Sequence, residues 1–217
     1  GELVLADEVW RDADPESVQS AMLQGIRAHA PACLPWTDAA RQLQARIGFL
    51  HRLMPHDWPD VGDAGLVSGL SDWLLPYLHG MTRLAQLKRL DLCAVLLARL
   101  PWVKQKRLDE LAPSHLRVPS GNRIRLDYSH QTPVLAVRLQ EMFGLGETPR
   151  IAGGRVAVLL HLLSPAHRPV QITQDLTAFW GGSYQQVKKE LKGRYPKHHW
   201  PDDPLQARAS VATRRKS

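Results

Sequence analysis

Cysteine is scarce: Cys33 and Cys93 are the only two in 217 residues. A disulfide framework needs more cysteines in a shorter chain, so both read as buried free thiols, the state expected in a reducing cytoplasm. Long apolar runs are missing too. The longest, 92–98 and 156–163, fall well short of the roughly 18 residues that cross a bilayer and read instead as a buried helix and a buried strand. Glu2, Asp7 and Glu8 occupy positions where a signal peptide would need a basic and then an apolar stretch. The chain opens on Gly1 in place of Met, as a piece of a longer protein would.

Signatures of catalysis are also wanting. No G-x-x-x-x-G-K-[ST] phosphate loop, no H-x-x-x-H and no C-x-x-C occurs. Ser129 and His130 are adjacent, but neighbours on an extended chain point to opposite faces, so the pair reads as a turn. His198 and His199 cannot easily share one ion, and Gly153-Gly154-Arg155 is too short to cradle a phosphate. No residue is assigned a catalytic or metal-binding role.

Charge, by contrast, is plentiful and uneven. Residues 1–64 hold five Arg against ten Asp or Glu, a net of −5, whereas residues 65–217 hold 23 Lys or Arg against 11 acids, a net of +12. A basic half of that size points to a polyanionic partner, nucleic acid or an acidic protein surface.

The first half reads as helical, with 11–113 as one subdomain. Asp14-Pro15-Glu16 supplies a cap, a proline and an acid for a first helix, with Val18, Met22 and Ile26 on one face. Thr37 caps a second, whose stripe is Leu43, Ile47, Leu50 and Met54. A third helix is predicted over 72–78 and a fourth over 84–100, nearly all apolar after Asp91, so that Leu92, Val95, Leu96 and Leu97 should be almost fully buried. A short basic helix with Lys104, Lys106 and Arg107 follows Pro101.

Near residue 115 the period changes to two, which opens a mixed subdomain over 114–204. Leu116, Val118, Ile124, Leu126 and Tyr128 alternate with His115, Arg117, Arg123, Arg125 and Asp127, the pattern of a β-hairpin. Opposed residues share a face, so Val118 facing Ile124 demands an odd loop, Ser120-Gly121-Asn122, with Gly121 or Asn122 left-handed. That register sets Arg117 opposite Arg125. A helix over 133–143, strands over 155–163 and 170–172, and helices over 174–180 and 184–192 complete the pattern, with Ser183 and Gln186 as a capping box and Gly193 as a stop. The polar, basic tail 205–217 is expected to be disordered. The fold class is α+β: a helical N-terminal half, then a mixed half with a β-hairpin, short antiparallel strands and packed helices.

Two basic elements are the candidate nucleic-acid contacts. In the closing segment Lys188, Lys189, Lys192, Arg194 and Lys197 lie among Tyr184, Tyr195 and Trp200. Cations beside planar rings suit single-stranded RNA, whose phosphates take the charge and whose bases stack. The competing reading makes the lysines a solvated face, packs Tyr184, Val187 and Leu191 inward, and uses Trp200 to lock the chain onto the core. In the hairpin, Arg117, Arg123 and Arg125 share one side, and facing like charges ask for an anion: phosphate, an acidic surface, or water alone.

Four strings, VPSGNRIRLDYS (118–129), PVLAVRLQEMFGL (133–145), LLHLLSPAHRPVQITQDLTAFW (159–180) and KGRYPKHHWPDDP (192–204), resemble the C-terminal region of HrpB-type helicases, a bacterial branch of the DEAH/RHA group. ELVLADEVW (2–10) and LPWT (34–37) extend the likeness over nearly the whole chain. The resemblance implies a parent with two RecA-like motors, a winged helix, a helical bundle and an OB-fold, of which residues 1–10 would carry the trailing strand. It also implies that the parent uses ATP and Mg²⁺, through a phosphate loop and an Asp-Glu-x-His box that this chain lacks. The expected role is an accessory module of an ATP-dependent RNA helicase, extending RNA binding or bracing the motor, with the missing helicase domains and single-stranded RNA as partners. A protein-interaction module is the alternative.

Overall fold

The computed structural model describes residues 14–210; the strand expected within 1–10 and the end of the tail lie outside them. Helix α1 (Pro15–His29) starts as its sequence demands, since Asp14 accepts the Ser17 N–H at 3.0 Å and Pro15 fills a position whose N–H would be idle. Thr37 caps helix α2 (Asp38–Leu53) by accepting the Ala40 N–H at 3.1 Å. Leu43, Ile47 and Leu50 are buried as predicted, and Arg46 and Phe49 join them. Arg46 donates to the carbonyls of Ala112 and Leu108 at 2.6 and 3.4 Å and pairs with Asp109. It thereby closes the end of helix α6 (Trp102–Leu111), bonding the carbonyl of the cap residue Ala112 and adding a second bond to the Leu108 carbonyl, which already accepts the Ala112 N–H at 2.9 Å.

Two predicted helices are broken where the side chains offer other bonds. The segment expected as one helix over 72–78 is instead the end of α4 (Leu70–Leu74) and a 3-10 turn, Leu75–Tyr77, and a further short helix, α3 (Asp63–Ser68), precedes them. Gly69 separates α3 from α4, and Pro76 withholds the N–H that α4 would need to continue. The 84–100 run also divides. Leu84–Arg89 is a 3-10 turn, Leu90 is extended, and Asp91 opens α5 (Leu92–Ala98) by accepting the Ala94 N–H at 3.1 Å. An aspartate that bonds the backbone three residues on starts a helix rather than lying inside one. Leu92, Val95 and Leu96 are buried as expected, while Leu97 is only half-buried.

The second half is built on a five-stranded sheet in the order β1-β2-β3-β6-β7, with β1 His115–Arg117, β2 Arg123–Asp127, β3 Val134–Arg138, β6 Leu159–Leu163 and β7 Pro169–Thr173. β3 and β6 run parallel and the other pairs antiparallel. The helix predicted over 133–143 is therefore wrong: it is the central strand β3 followed by a 3-10 turn, Leu139–Glu141. Val134, Leu135 and Val137 are all buried, with Ala136 alone exposed among them, and the apolar run over 134–137 is one that periodicity cannot tell from a helix.

The single strand expected over 155–163 is also two. β5 (Val156–Ala157) pairs with β4 (Arg150–Ile151) as a separate ribbon, before the chain enters β6. Helices α7 (Leu176–Gly181) and α8 (Tyr184–Arg194) close the fold. The predicted capping box is absent, because Ser183 adopts helical angles and its side chain makes no cap bond; Gly193 lies inside α8, which ends at Tyr195.

One continuous buried cluster runs from Met22 through α2 and the sheet to Trp200. Gln42 of α2 donates to the Leu126 carbonyl at 2.6 Å, and the Phe49 and Tyr128 rings meet at 5.4 Å. The Tyr128 hydroxyl, its pKa pushed up by burial, donates to the Pro113 carbonyl at 2.8 Å. The two cysteines are half-buried rather than buried, and loss of water raises both thiol pKa values.

Candidate nucleic-acid interface

The hairpin forms with an odd loop and a left-handed Gly121 (φ +90°), but its register is shifted by two, so the three-residue loop is Pro119-Ser120-Gly121 and not Ser120-Gly121-Asn122. Arg117 lies opposite Arg123, and His115 opposite Arg125, so the expected Arg117–Arg125 pairing is corrected. Asn122 stays in the ladder: its carbonyl accepts the Val118 N–H at 3.0 Å, and the Gly121 N–H returns to Val118 O at 2.8 Å. Glu141 explains the shifted register. Its buried carboxylate accepts from Ser120 Oγ at 3.1 Å and from the Asn122 amide, and its carbonyl takes the Ser120 N–H at 3.3 Å. Arg138 Nε, at 3.3 Å, offsets the charge.

Arg117, Arg123 and Arg125 are all exposed, on the side of the sheet opposite Leu116, Ile124 and Leu126. Ala136, His161 and Ile172 continue that face across the sheet, and Ile172 is 53% exposed. Arg125 reaches Gln42 Oε1 at 3.4 Å. Among the described residues no carboxylate lies within ion-pair distance of these three arginines. The facing pair is thus relieved here by solvent, not by an acid of the helical half.

The closing segment is less open than its sequence suggests. Tyr184 is fully buried among Phe143, Phe179 and Trp180, with ring centroids 5.3–6.2 Å away, and its hydroxyl donates to Pro201 O at 2.8 Å. Trp200 keeps 9% of its surface exposed and donates Nε1–H to the Tyr195 carbonyl at 2.9 Å. Its ring is a lock on the core, so the expectation that it stacks on a base is corrected. Tyr195 is half-buried, edge-on to His198 at 6.1 Å.

Lys188 is also withdrawn: its side chain is 13% exposed and its Nζ lies 2.6 Å from Asp202. That hydrogen bond, then the charges of Lys188 and Lys192, hold the Asp202 carboxyl below its ordinary range. Lys189, Lys192, Arg194 and Lys197 remain exposed.

The same short turn anchors both basic elements. Glu141 holds the hairpin tip, and the neighbouring Gln140 donates to His199 O at 3.3 Å. Gln140 O also accepts the Ser210 N–H at 3.1 Å, and Gly144 N–H bonds Pro204 O at 2.9 Å. Residues 205–210 are therefore laid against the fold, with Ala207 and Ala209 packed on the core, contrary to the disorder predicted for the start of the tail. Sequence reasoning missed Glu141 and Gln140 because it placed them on a helix.

It also passed over Trp102. This residue opens α6 and is 65% exposed, next to Val103 at 64%, with Lys106 Nζ 3.6 Å from the ring centroid. The signal was present: a tryptophan four residues before a lysine shares a helix face with it. Elsewhere, Ser129 and His130 both address Asp127, at 2.9 and 3.6 Å, rather than each other. Among the described residues, no group of three or more His, Cys, Asp or Glu is placed to hold a metal ion, and no helix is long and apolar enough to cross a membrane.

Comparison with known proteins gives a consistent result. Residues 73–204 match the family described as ATP-dependent helicase C-terminal. The chain is 45% identical over 219 residues to the ATP-dependent RNA helicase HrpB of Escherichia coli (strain K12), covering all of this chain and 27% of that protein. Two crystal structures of E. coli HrpB are similar in fold. One, described as a DExH-box NTPase, matches at TM-score 0.84 and 47% identity over 94% of this chain and 25% of the other. The second, described as a DEAH/RHA helicase, matches at 0.73 and 45% over 89% and 25%.

Proposed function

Since the chain belongs to the HrpB helicase family and spans about a quarter of its relatives' length, we propose that it is an accessory module of a cytoplasmic ATP-dependent RNA helicase, extending the RNA-binding surface or bracing the motor while carrying no ATPase site. ATP and Mg²⁺ are used by the domains outside this chain. The observation that carries the reading is the Leu139–Glu141 turn, which bonds both the tip of the arginine hairpin and the His199 backbone of the closing segment. Arg117, Arg123, Arg125, Lys189, Lys192, Arg194 and Lys197 give a phosphate backbone several contacts, with Tyr195 beside them. Trp200 and Lys188 support the fold under that surface.

The test is binding of a fluorescent single-stranded RNA across a salt series. If three or four cations each neutralise a phosphate, log affinity falls against log salt with a slope of about −2 to −3. Replacing Lys189, Lys192 and Lys197 with Glu removes most of the binding and leaves the melting curve in place, because all three side chains are exposed. Undiminished binding by that variant, or none by the parent at low salt, ends the reading. The second reading, a surface that docks the helicase onto a protein, is supported by the Lys188–Asp202 pair and by the exposed Ile172; it then takes first place.

A further inference from the structure

We propose that Trp102 and Lys106 form a second RNA contact, separate from the basic surface above, in which one unpaired base stacks on the indole and the adjoining phosphate meets the ammonium. The proposal rests on the RNA-binding reading and adds a place to it. Trp102 is 65% exposed, while Trp58, Trp73, Trp180 and Trp200 are all at 9% or less. An indole has a large apolar area, and leaving so much of it in water calls for a reason that a single exposed leucine would not.

The surroundings say which ligand fits. Lys106 stands 3.6 Å from the ring centroid, a cation already held at a π-face. Lys104 and Arg107 flank it, and the nearest acid along the helix, Asp109, is taken by Arg46. Lys104 is fixed by a hydrogen bond to the Asp57 carbonyl, which holds the first turn against the helical half. Pro101 leaves the start of α6 without a side-chain cap. A protein surface closing over the ring would have to strip water from Lys106. A nucleotide supplies both complements at once, a flat base for the ring and a phosphate for the ammonium.

The experiment uses the 217-residue chain and a single-stranded 12-mer of adenosine, read by tryptophan emission and by RNA anisotropy in parallel. Stacking is expected to quench emission, and the quench should vanish in Trp102→Phe. Trp36, half-buried with Arg41 over its ring at 3.7 Å, is the control, and Trp36→Phe should keep the quench. Trp102→Ala should weaken binding about 5- to 150-fold, the range expected for loss of one stacked base, with an unchanged melting curve. Lys106→Gln should reduce the salt slope by about 0.7. Binding that persists without a Trp102-dependent quench, and at full strength in Trp102→Ala, overturns this site and leaves the basic-surface reading standing. No RNA binding at all overturns both. A quench produced by the remaining helicase domains but not by RNA also overturns it and makes Trp102 a docking residue.

Discussion

Helix α6 and the closing segment built on α8 are both basic stretches with a tryptophan at one end, and they dispose of that tryptophan in opposite ways. Trp200 gives its N–H to the Tyr195 carbonyl and its ring to the core, so the nearby lysines stand over a finished surface. Trp102 keeps its ring in water and draws a lysine onto it. In sequence the two stretches look alike, cations interleaved with aromatics. What separates them is whether the backbone turns back to bury the ring: Pro201 and Pro204 carry the chain after Trp200 across Tyr184 and Gly144, whereas α6 leads away from Trp102 without return. A basic–aromatic pattern thus locates charge reliably but not the ring a ligand can use.

The comparison breaks most visibly under alanine. Trp200→Ala should cost about 3–5 kcal/mol, the usual loss for a large buried aromatic, and Trp102→Ala less than about 0.5 kcal/mol. Urea melts of the two variants decide it, and equal losses would mean that the two rings are not in different environments.

A pH titration sharpens the closing segment alone. Burial, then the charge of Arg138, lowers the His198 pKa, and its Nδ1 is buried without a hydrogen-bond partner. The folded state therefore binds this proton less readily than the unfolded chain. The stability it contributes is whole above the ordinary histidine value of about 6.5 and is lost as pH falls through the lower folded value. Melting temperature should drop between about pH 7 and 5, and His198→Gln should flatten that drop.

The smallest effect concerns Asp202, whose carboxyl is held low first by its hydrogen bond from Lys188. Stability from this pair is present above the unfolded carboxylate value of about 3.9 and falls away as pH drops through the folded one. Lys188→Ala should remove a slight acid dependence that Lys189→Ala leaves intact, as thermal melts between about pH 5 and 3 would show.

Elements whose signal is local were legible in the sequence. Asp14 and Thr37 cap their helices as read, and the parity of the hairpin required an odd loop with Gly121 left-handed. Elements decided by distant partners were not. The stretch 133–143 carries a buried strand because β6 pairs with it in parallel, and nothing within those residues announces β6. The two-residue error in the hairpin has the same origin, since Glu141 lies 19 residues from the Asn122 it grips. For the candidate interface, the cations were found and the usable ring was not, because exposure is a property of the folded surroundings.

The Glu141 clamp has a consequence for association. A loose loop bearing arginines would surrender backbone freedom on meeting an anion, at roughly 1–2 kcal/mol for each residue fixed. Here the tip between Arg117 and Arg123 is bound at Ser120 and Asn122 before any ligand arrives. An anion would therefore ask only the arginine side chains to settle on a backbone already in place. A tip held in this way keeps its arginines at a fixed spacing whatever approaches them.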